Sequence, residues 1–157
     1  MRNQAIEANP RSLPHSVWPA QAIGQLERDA ADSLGLTLYE LMLRAGQASY
    51  ERVRAQWQQA QHWLILCGHG NNGGDGYVVA RLAQAAGLEV TLLACNGNKP
   101  LPEEAQQAQE AWLAAGGVLH APDAPWTQSL DVLVVSLLCT GLHRAPAVPF
   151  TALIDTA

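Results

Sequence analysis

The stretch HWLILCGHGNNGGDGYVVARLAQAAGLEVTLLAC, residues 62–95, decides the fold class. It begins with a short apolar run of strand type, His62–Cys67, which a glycine-rich turn follows. The spacing then predicts a helix from about Asp75 to Ala86, closed by Gly87, and a second strand over Glu89–Cys95. A strand, a glycine turn, a helix and a further strand are typical of a parallel sheet with helical crossovers.

The same alternation continues toward the C-terminus. A further helix is predicted from Pro102 to about Gly116, and Val118–Ala121 is a candidate short strand. The run DVLVVSLL, Asp131–Leu138, is apolar on both faces, which predicts a central parallel strand deep in the sheet. The pattern as a whole predicts an α/β fold, a Rossmann-like three-layer α/β/α sandwich with a mostly parallel sheet.

Two helices are predicted before the first strand. Apolar positions at helical spacing follow Pro19, and Gly35 stands where a helix C-cap belongs. Thr37 and Glu40 form a capping box at the start of a longer helix that we expect to run to Trp57. We expect the tryptophans of the periodic elements to be packing residues, namely Trp57, Trp63 and Trp112.

The two ends of the chain differ from its middle. Residues 1–18 lack periodicity and are predicted to form an extended leader, so that residues 19–157 make one domain. Apolar residues recur at helical spacing over Phe150–Ala157, but only for two turns. We therefore expect the domain to be incomplete at its C-terminus, with its last strands missing and an unpaired sheet edge that favours a homo-oligomer.

Composition excludes several classes of function. The 157 residues carry a net charge of -5 and a single lysine, Lys99, which argues against binding to nucleic-acid backbones. No apolar run approaches the roughly 20 residues of a membrane span, and no secretory segment is visible, so a cytoplasmic protein is expected. The cysteines Cys67, Cys95 and Cys139 lie far apart in apolar surroundings and are predicted to be buried thiols.

The glycine turn is the candidate ligand site. Gly68, Gly70 and Gly73 fit GxGxxG between a strand and a helix, a context in which backbone N–H groups approach a phosphate. A tight glycine turn without a ligand is the alternative. In this interpretation Gly74 lies on the path of the ligand, so Gly74→Val should abolish binding and leave the helix intact. Cys95 and Asn96 occupy the place where NAD-dependent dehydrogenases have an acidic residue.

Polar side chains surround the same turn. Asp75 would repel a phosphate unless it caps the helix, holds sugar hydroxyls or shares a cation, and a plain N-cap is the structural alternative. Asn71 and Asn72 are either ligand contacts or residues that tolerate left-handed turn geometry. Two loop histidines, His69 and His143, could serve as general acid or base or have no catalytic role.

Three segments together resemble a known family. CGHGNNGGDGYVVARLA (67–83), LTLYELMLRAG (36–46) and DVLVVSLLCTGLHRAP (131–146) are similar to the NAD(P)H-hydrate epimerase family, also called the YjeF N-terminal domain. The resemblance implies a nicotinamide nucleotide repair isomerase that interconverts the R and S forms of hydrated NADH and NADPH. It further implies a dinucleotide substrate, a bound potassium ion and, in full-length relatives, a fused ADP-dependent dehydratase domain.

The resemblance also implies a set of site residues. Asn72 would be a potassium ligand as well as a substrate contact. The residues that would contact the substrate are Asn71, Asn72, Gly73, Gly74, Asp75, Cys139, Thr140, Gly141, Leu142, His143, Arg144 and Ala145. Arg144 has an exposed surface position as its alternative.

Two departures from the family pattern concern the metal. Val135 stands where the family has an aspartate ligand, and the later D-x-P-S-G segment with a serine ligand is expected only beyond Ala157. These departures predict impaired potassium binding and impaired activity, because valine supplies no charge. Two alternatives to the epimerase follow: a non-catalytic nucleotide-binding module and a Rossmann NAD-dependent oxidoreductase.

Overall fold

The computed structural model describes residues 19–97, 100–126 and 129–138. Four helices and three strands alternate along them, which confirms the α/β class. In chain order the elements are α1 (Ala20–Leu34), α2 (Leu38–Gln56), β1 (His62–Cys67), α3 (Asn71–Ala85), β2 (Glu89–Ala94), α4 (Glu103–Ala114) and β3 (Val132–Ser136). The leader predicted at 1–18 and the short helix predicted at 150–157 lie outside the described residues.

The three strands form one parallel sheet in the order β2-β1-β3, as the alternating pattern predicted. β1 is the central one of these strands and β3 lies at their edge, where Val135 exposes 52% of its surface. The sequence predicted instead that this strand lies deep in the sheet. The short strand predicted at Val118–Ala121 is wrong, since that segment contributes only an isolated bridge between His120 and Leu93.

Side chains alternate between the two faces of the sheet. On one face Trp63, Ile65 and Cys67 of β1 pack in a core with residues of α2, α3 and α4, including the buried Trp112. On the other face Leu64 and Leu66 pack with partly buried side chains that include Trp126, Leu130 and Leu133. The helices described here that contact the sheet therefore share one face, and α1 packs against α2.

The ends of the first two helices follow the sequence signals. Gly35 adopts the left-handed conformation (φ 64°) that closes α1. The capping box is present, because Thr37 Oγ1 accepts from the backbone N–H of Glu40 while the Glu40 carboxylate accepts from that of Thr37. Trp57 is an exception to the packing predicted for it: it caps the end of α2 and is 49% exposed.

The starts of β1 and β3 are joined by a side chain. The carboxylate of Asp131 accepts hydrogen bonds from the backbone N–H groups of Gln61 and His62, at 2.8 and 2.9 Å. These bonds favour the charged form and lower the pKa of Asp131.

None of the helices in the described part of the chain is long and apolar enough to cross a membrane.

Candidate functional site

Helix α3 begins at Asn71, four residues before the start that the sequence predicted. Its N-cap is Gly70, and no side chain caps it, so the assignment of Asp75 as the N-cap is wrong. The two asparagines are helical rather than left-handed, since none of the described non-glycine residues has a positive φ. The prediction failed because glycine disfavours a helix interior, whereas tertiary packing here overrides that preference.

The glycines of this segment are positions of close backbone approach. A Cβ atom on Gly73 would collide with the carbonyl group of Gly68, and one on Gly68 would collide with the carbonyl group of Leu137. A Cβ on Gly76 would lie 2.7 Å from the sulfur of Cys67. The lack of side chains therefore lets the first turns of α3 lie directly on the ends of β1 and β3.

Gly74 faces the neighbouring helices. A Cβ at this position would lie 2.6 Å from the sulfur of Met42 on α2 and 3.0 Å from the Cα of Ala105 on α4. The expectation that Gly74→Val would leave the helix undisturbed is therefore wrong, whereas its effect on a ligand stays a prediction. Valine at this position would push α3 away from its two neighbours.

Asn72 fastens the start of α3 to the end of β3. Its side-chain amide donates a hydrogen bond of 2.8 Å to the carbonyl oxygen of Leu138. Asn71, at the position before it, is exposed, and Asp75, one turn after Asn71, is half-buried. Of the predicted contacts, Asn71, Asn72, Gly73, Gly74 and Asp75 thus lie together in the first turns of α3, and Cys139 to Ala145 lie outside the described residues.

Of the potassium ligands that the resemblance implies, the described residues include Asn72 and position 135, where valine stands in place of the expected aspartate. Ser136 of β3 is buried and faces α3, because its side chain meets the Cβ position of Gly76. Val135 precedes it and therefore points to the opposite face of the sheet, half-exposed. Among the described residues no group of three or more His, Cys, Asp or Glu side chains could hold a metal.

A cavity of about 330 Å³ opens where the four helices meet. The apolar side chains of Leu38, Leu41 and Met42 of α2 form part of its lining. Its remaining lining residues come from all four helices and are Gly24, Glu27, Arg28, Ala45, Asn71, Asp75 and Glu104. Two of the residues predicted as substrate contacts therefore face a chamber that also has walls from α1 and α4.

The carboxyl group of Asp75 has an unusual affinity for protons in this chamber. Its burial, and in second place the negative charge of Glu27, raise its pKa to about 6. A carboxyl group with such a pKa exists in both protonation states near neutral pH, which suits a group that gives and takes back a proton. Asp75 is also the one ionisable side chain of the predicted contacts that lies among the described residues.

The raised pKa predicts a pH-dependent effect of Asp75→Asn on stability. Between about pH 4 and pH 6 the folded chain binds a proton that the unfolded chain has released, so stability falls as pH rises through this window. Asparagine removes that loss. In urea unfolding, the variant should be more stable than the parent at about pH 7.5, and the difference should shrink toward about pH 4. An equal difference at both pH values would contradict the assigned titration.

Other sequence predictions concern the surroundings of the site. β2 ends at Ala94, and the buried Cys95 follows it, so the strand end carries no acidic side chain for a ribose hydroxyl. Cys67 and Cys95 are free, buried thiols as predicted, and burial raises the pKa of each. His69 is half-buried in the connection from β1 to α3, whereas His143 lies outside the residues that are described.

Sequence reasoning missed the walls that α1 and α4 supply. Glu27 and Arg28 belong to a helix whose periodicity gave no reason to link it with the glycine turn. Glu104 lies in the first turn of α4, where the macrodipole favours an acid, so the sequence alone gives it a purely local explanation. Helical spacing could at most have put these residues on the faces of their helices, because the chamber arises from the packing of separate segments.

The fold and this site define a class of α/β domain. In it, a helix with a glycine N-cap follows the central one of the described parallel strands, and residues of its first turns line a cavity. Known proteins of this class include a solved structure with the same fold. The crystal structure of the yeast protein YNL200c superimposes with a TM-score of 0.73, at 19% identity, over 89% of this chain and 63% of that one. This likeness shows the fold alone.

Sequence comparison gives the family. The model of the YjeF-related protein N-terminus matches residues 38–157, and the chain belongs to that family. It is 59% identical over 157 residues to the bifunctional NAD(P)H-hydrate repair enzyme Nnr of Escherichia coli, of which it spans 30%. It is also 46% identical over 138 residues to the Leishmania major bifunctional NAD(P)H-hydrate repair enzyme, of which the match covers 25%.

A shorter relative is similar over much of its own length. The NAD(P)H-hydrate epimerase of Rhodobacter capsulatus is 40% identical over 126 residues, which are 76% of this chain and 59% of that protein. The three relatives are named for the repair or the epimerisation of NAD(P)H hydrate. None of the matches covers two thirds of the relative.

Proposed function

We propose that this chain is an NAD(P)H-hydrate epimerase that binds hydrated NADH or NADPH at the start of α3 and interconverts its R and S forms. The observation that carries the proposal is the position of Asp75, a carboxyl group of raised pKa that lines the same cavity as the predicted contact Asn71. Family membership supports the substrate class, since the relatives are named for the same reaction.

The chemistry requires a group that handles a proton. The two forms differ at the ring carbon that carries the added hydroxyl group. Protonation by the Asp75 carboxyl lets this group leave as water, and the electrons of the ring stabilise the cation that remains. Water then adds to either face of the ring and returns a proton to the Asp75 carboxylate. The cycle ends with the carboxyl group as it began, and no oxidant or reductant is consumed.

Exchange of the pure R form tests the proposal. The chain is incubated with R-hydrated NADPH, and the S form is followed by chromatography against buffer alone. We expect the S form to appear faster with the chain than without it. An unchanged rate, together with measurable binding of the hydrate, would support the second candidate function instead, a non-catalytic nucleotide-binding module. Val135 is the observation that favours this second candidate, since it replaces an expected ligand.

The effect of potassium on the stability of the chain is a separate, measurable part of the proposal. The described residues lack the carboxylate expected at position 135, so we predict that potassium does not stabilise the chain specifically. A cation that binds only the folded state raises its melting temperature. The melting temperature should therefore be equal in potassium chloride and in sodium chloride of the same ionic strength. A rise specific to potassium would contradict this prediction and point to ligands outside the described residues.

Partners and location belong to the same proposal. Two of the relatives are named as bifunctional enzymes, so we propose that this domain works beside a dehydratase domain that depends on ADP. We also propose that the chain forms a homo-oligomer and that it is located in the cytoplasm, where NADH and NADPH are used. Sedimentation of the purified chain distinguishes an oligomer from a monomer.

A further inference from the structure

Helix α1 precedes the segment that the family model matches, yet it forms one wall of the chamber. The match begins at residue 38, whereas Gly24, Glu27 and Arg28 of α1 line the cavity. This helix packs against α2 and is mostly exposed on its other sides. Its inner wall therefore faces the same space as Asn71 and Asp75.

The charge of the chamber limits what it can hold. Three carboxyl groups line it, those of Glu27, Asp75 and Glu104, against the single guanidinium of Arg28. Arg28 donates a hydrogen bond of 2.9 Å to the side chain of Gln25 on its own helix. A pyrophosphate would meet net repulsion from these groups, because like charges in a cleft disfavour an anionic ligand.

The volume of the chamber and its apolar lining residues favour the binding of only part of a dinucleotide. Its volume of about 330 Å³ lies at the low end of the range of about 300–1,000 Å³ for small-ligand pockets. Leu38, Leu41 and Met42 offer an apolar surface on which a ring can pack. The carboxylates that line the chamber can accept hydrogen bonds from sugar hydroxyls or from a carboxamide, the donors that an uncharged nucleoside carries.

We propose that α1 closes the substrate site and that the chamber takes the uncharged end of the substrate, the hydrated nicotinamide riboside, while its phosphates stay outside. The inference rests on the proposed function for the choice of nucleoside. Asp75 decides between the two ends of the dinucleotide, because the reacting ring must lie beside the group that exchanges the proton. Glu27 is then a specificity residue supplied by a helix outside the family match.

Two half-molecules of the substrate test the inference in ligand-observed NMR titrations. Reduced nicotinamide riboside represents the uncharged end, and ADP-ribose represents the end with the pyrophosphate. Ala45→Phe fills the chamber from an exposed position of α2, and Ala48→Phe, exposed on the same helix outside the chamber, is the matched control. We expect Ala45→Phe to weaken riboside binding about tenfold or more and leave ADP-ribose binding unchanged, with no effect of Ala48→Phe.

A second pair of variants tests the wall from α1 without adding bulk. Glu27→Gln should weaken riboside binding, whereas Glu51→Gln, exposed on α2 away from the chamber, should not. The inference is overturned if the riboside does not bind the unsubstituted chain. It is also overturned if the variants at positions 45 and 27 bind the riboside as the parent does, or if Ala45→Phe weakens ADP-ribose alone.

The same samples separate this inference from the proposed function. Exchange of R-hydrated NADPH is measured on the unsubstituted chain in parallel. If the chain catalyses exchange but Ala45→Phe does not weaken riboside binding, the proposed function stands and the chamber is not its site. Riboside binding that Ala45→Phe removes, without any exchange, would support the chamber and refute catalysis.

Discussion

Gly73→Ala is expected to destabilise the fold by about 3 kcal/mol or more, out of a total stability of about 5–15 kcal/mol. The added methyl group would collide with the backbone carbonyl of Gly68, which cannot rotate away as a side chain could. Either α3 must move off β1, or its first turn must unwind. Urea unfolding followed by circular dichroism measures the loss.

A matched control separates this collision from the general effect of alanine in a helix. Gly24 is also helical, in α1, and a Cβ there would meet only the guanidinium of Arg28 at an ordinary 3.7 Å. Because alanine is the better helix former by about 1 kcal/mol, Gly24→Ala should be neutral or slightly stabilising. Equal urea midpoints for the two variants would refute the close packing assigned to Gly73.

Asp75→Asn is expected to lower the rate of R to S exchange by about 10²–10⁴, the usual contribution of a general acid or base. Asparagine has nearly the same shape, but it cannot give up and regain a proton near neutral pH. The parent should show an inflection near the pH at which Asp75 titrates, about 6, and the variant should lack it. Exchange of the pure R form over a pH series measures both effects.

The control for this variant is Asp29→Asn. Asp29 is exposed on α1, accepts a hydrogen bond of 2.7 Å from Gln25 and does not line the chamber. Its replacement should leave exchange unchanged. Because Asp75→Asn is also expected to be more stable than the parent at neutral pH, unfolding cannot explain its loss of activity. Full activity in Asp75→Asn would refute the role of this carboxyl group.

The regular elements were predictable because their signals are local. The apolar runs His62–Cys67 and Glu89–Cys95 match β1 and β2 almost to the residue, and Gly35 and the Thr37 capping box mark the helix boundaries as expected. Each of these signals involves residues that are neighbours in the sequence. The parallel sheet followed from their alternation with helices.

The start of α3 and the chamber were not predictable in this way. Asn71–Asp75 contains two glycines that predict a turn, and only the contact with Gly68 and Met42 explains why a helix forms there. Glu27 and Glu104 lie 77 positions apart in the sequence and share a chamber only because four helices meet. The pKa of Asp75 depends on that burial, so no local pattern predicts it.

The most direct test of the site is a titration of the Asp75 side chain by carbon-13 NMR, with Asp75→Asn to assign its signal. We expect a pKa of about 6 in the free chain, and a change in the chemical shift of this carboxyl carbon when R-hydrated NADPH is added. A carboxyl group that titrates near pH 4, as exposed aspartates do, and does not respond to the hydrate would contradict the role of Asp75 in the substrate site.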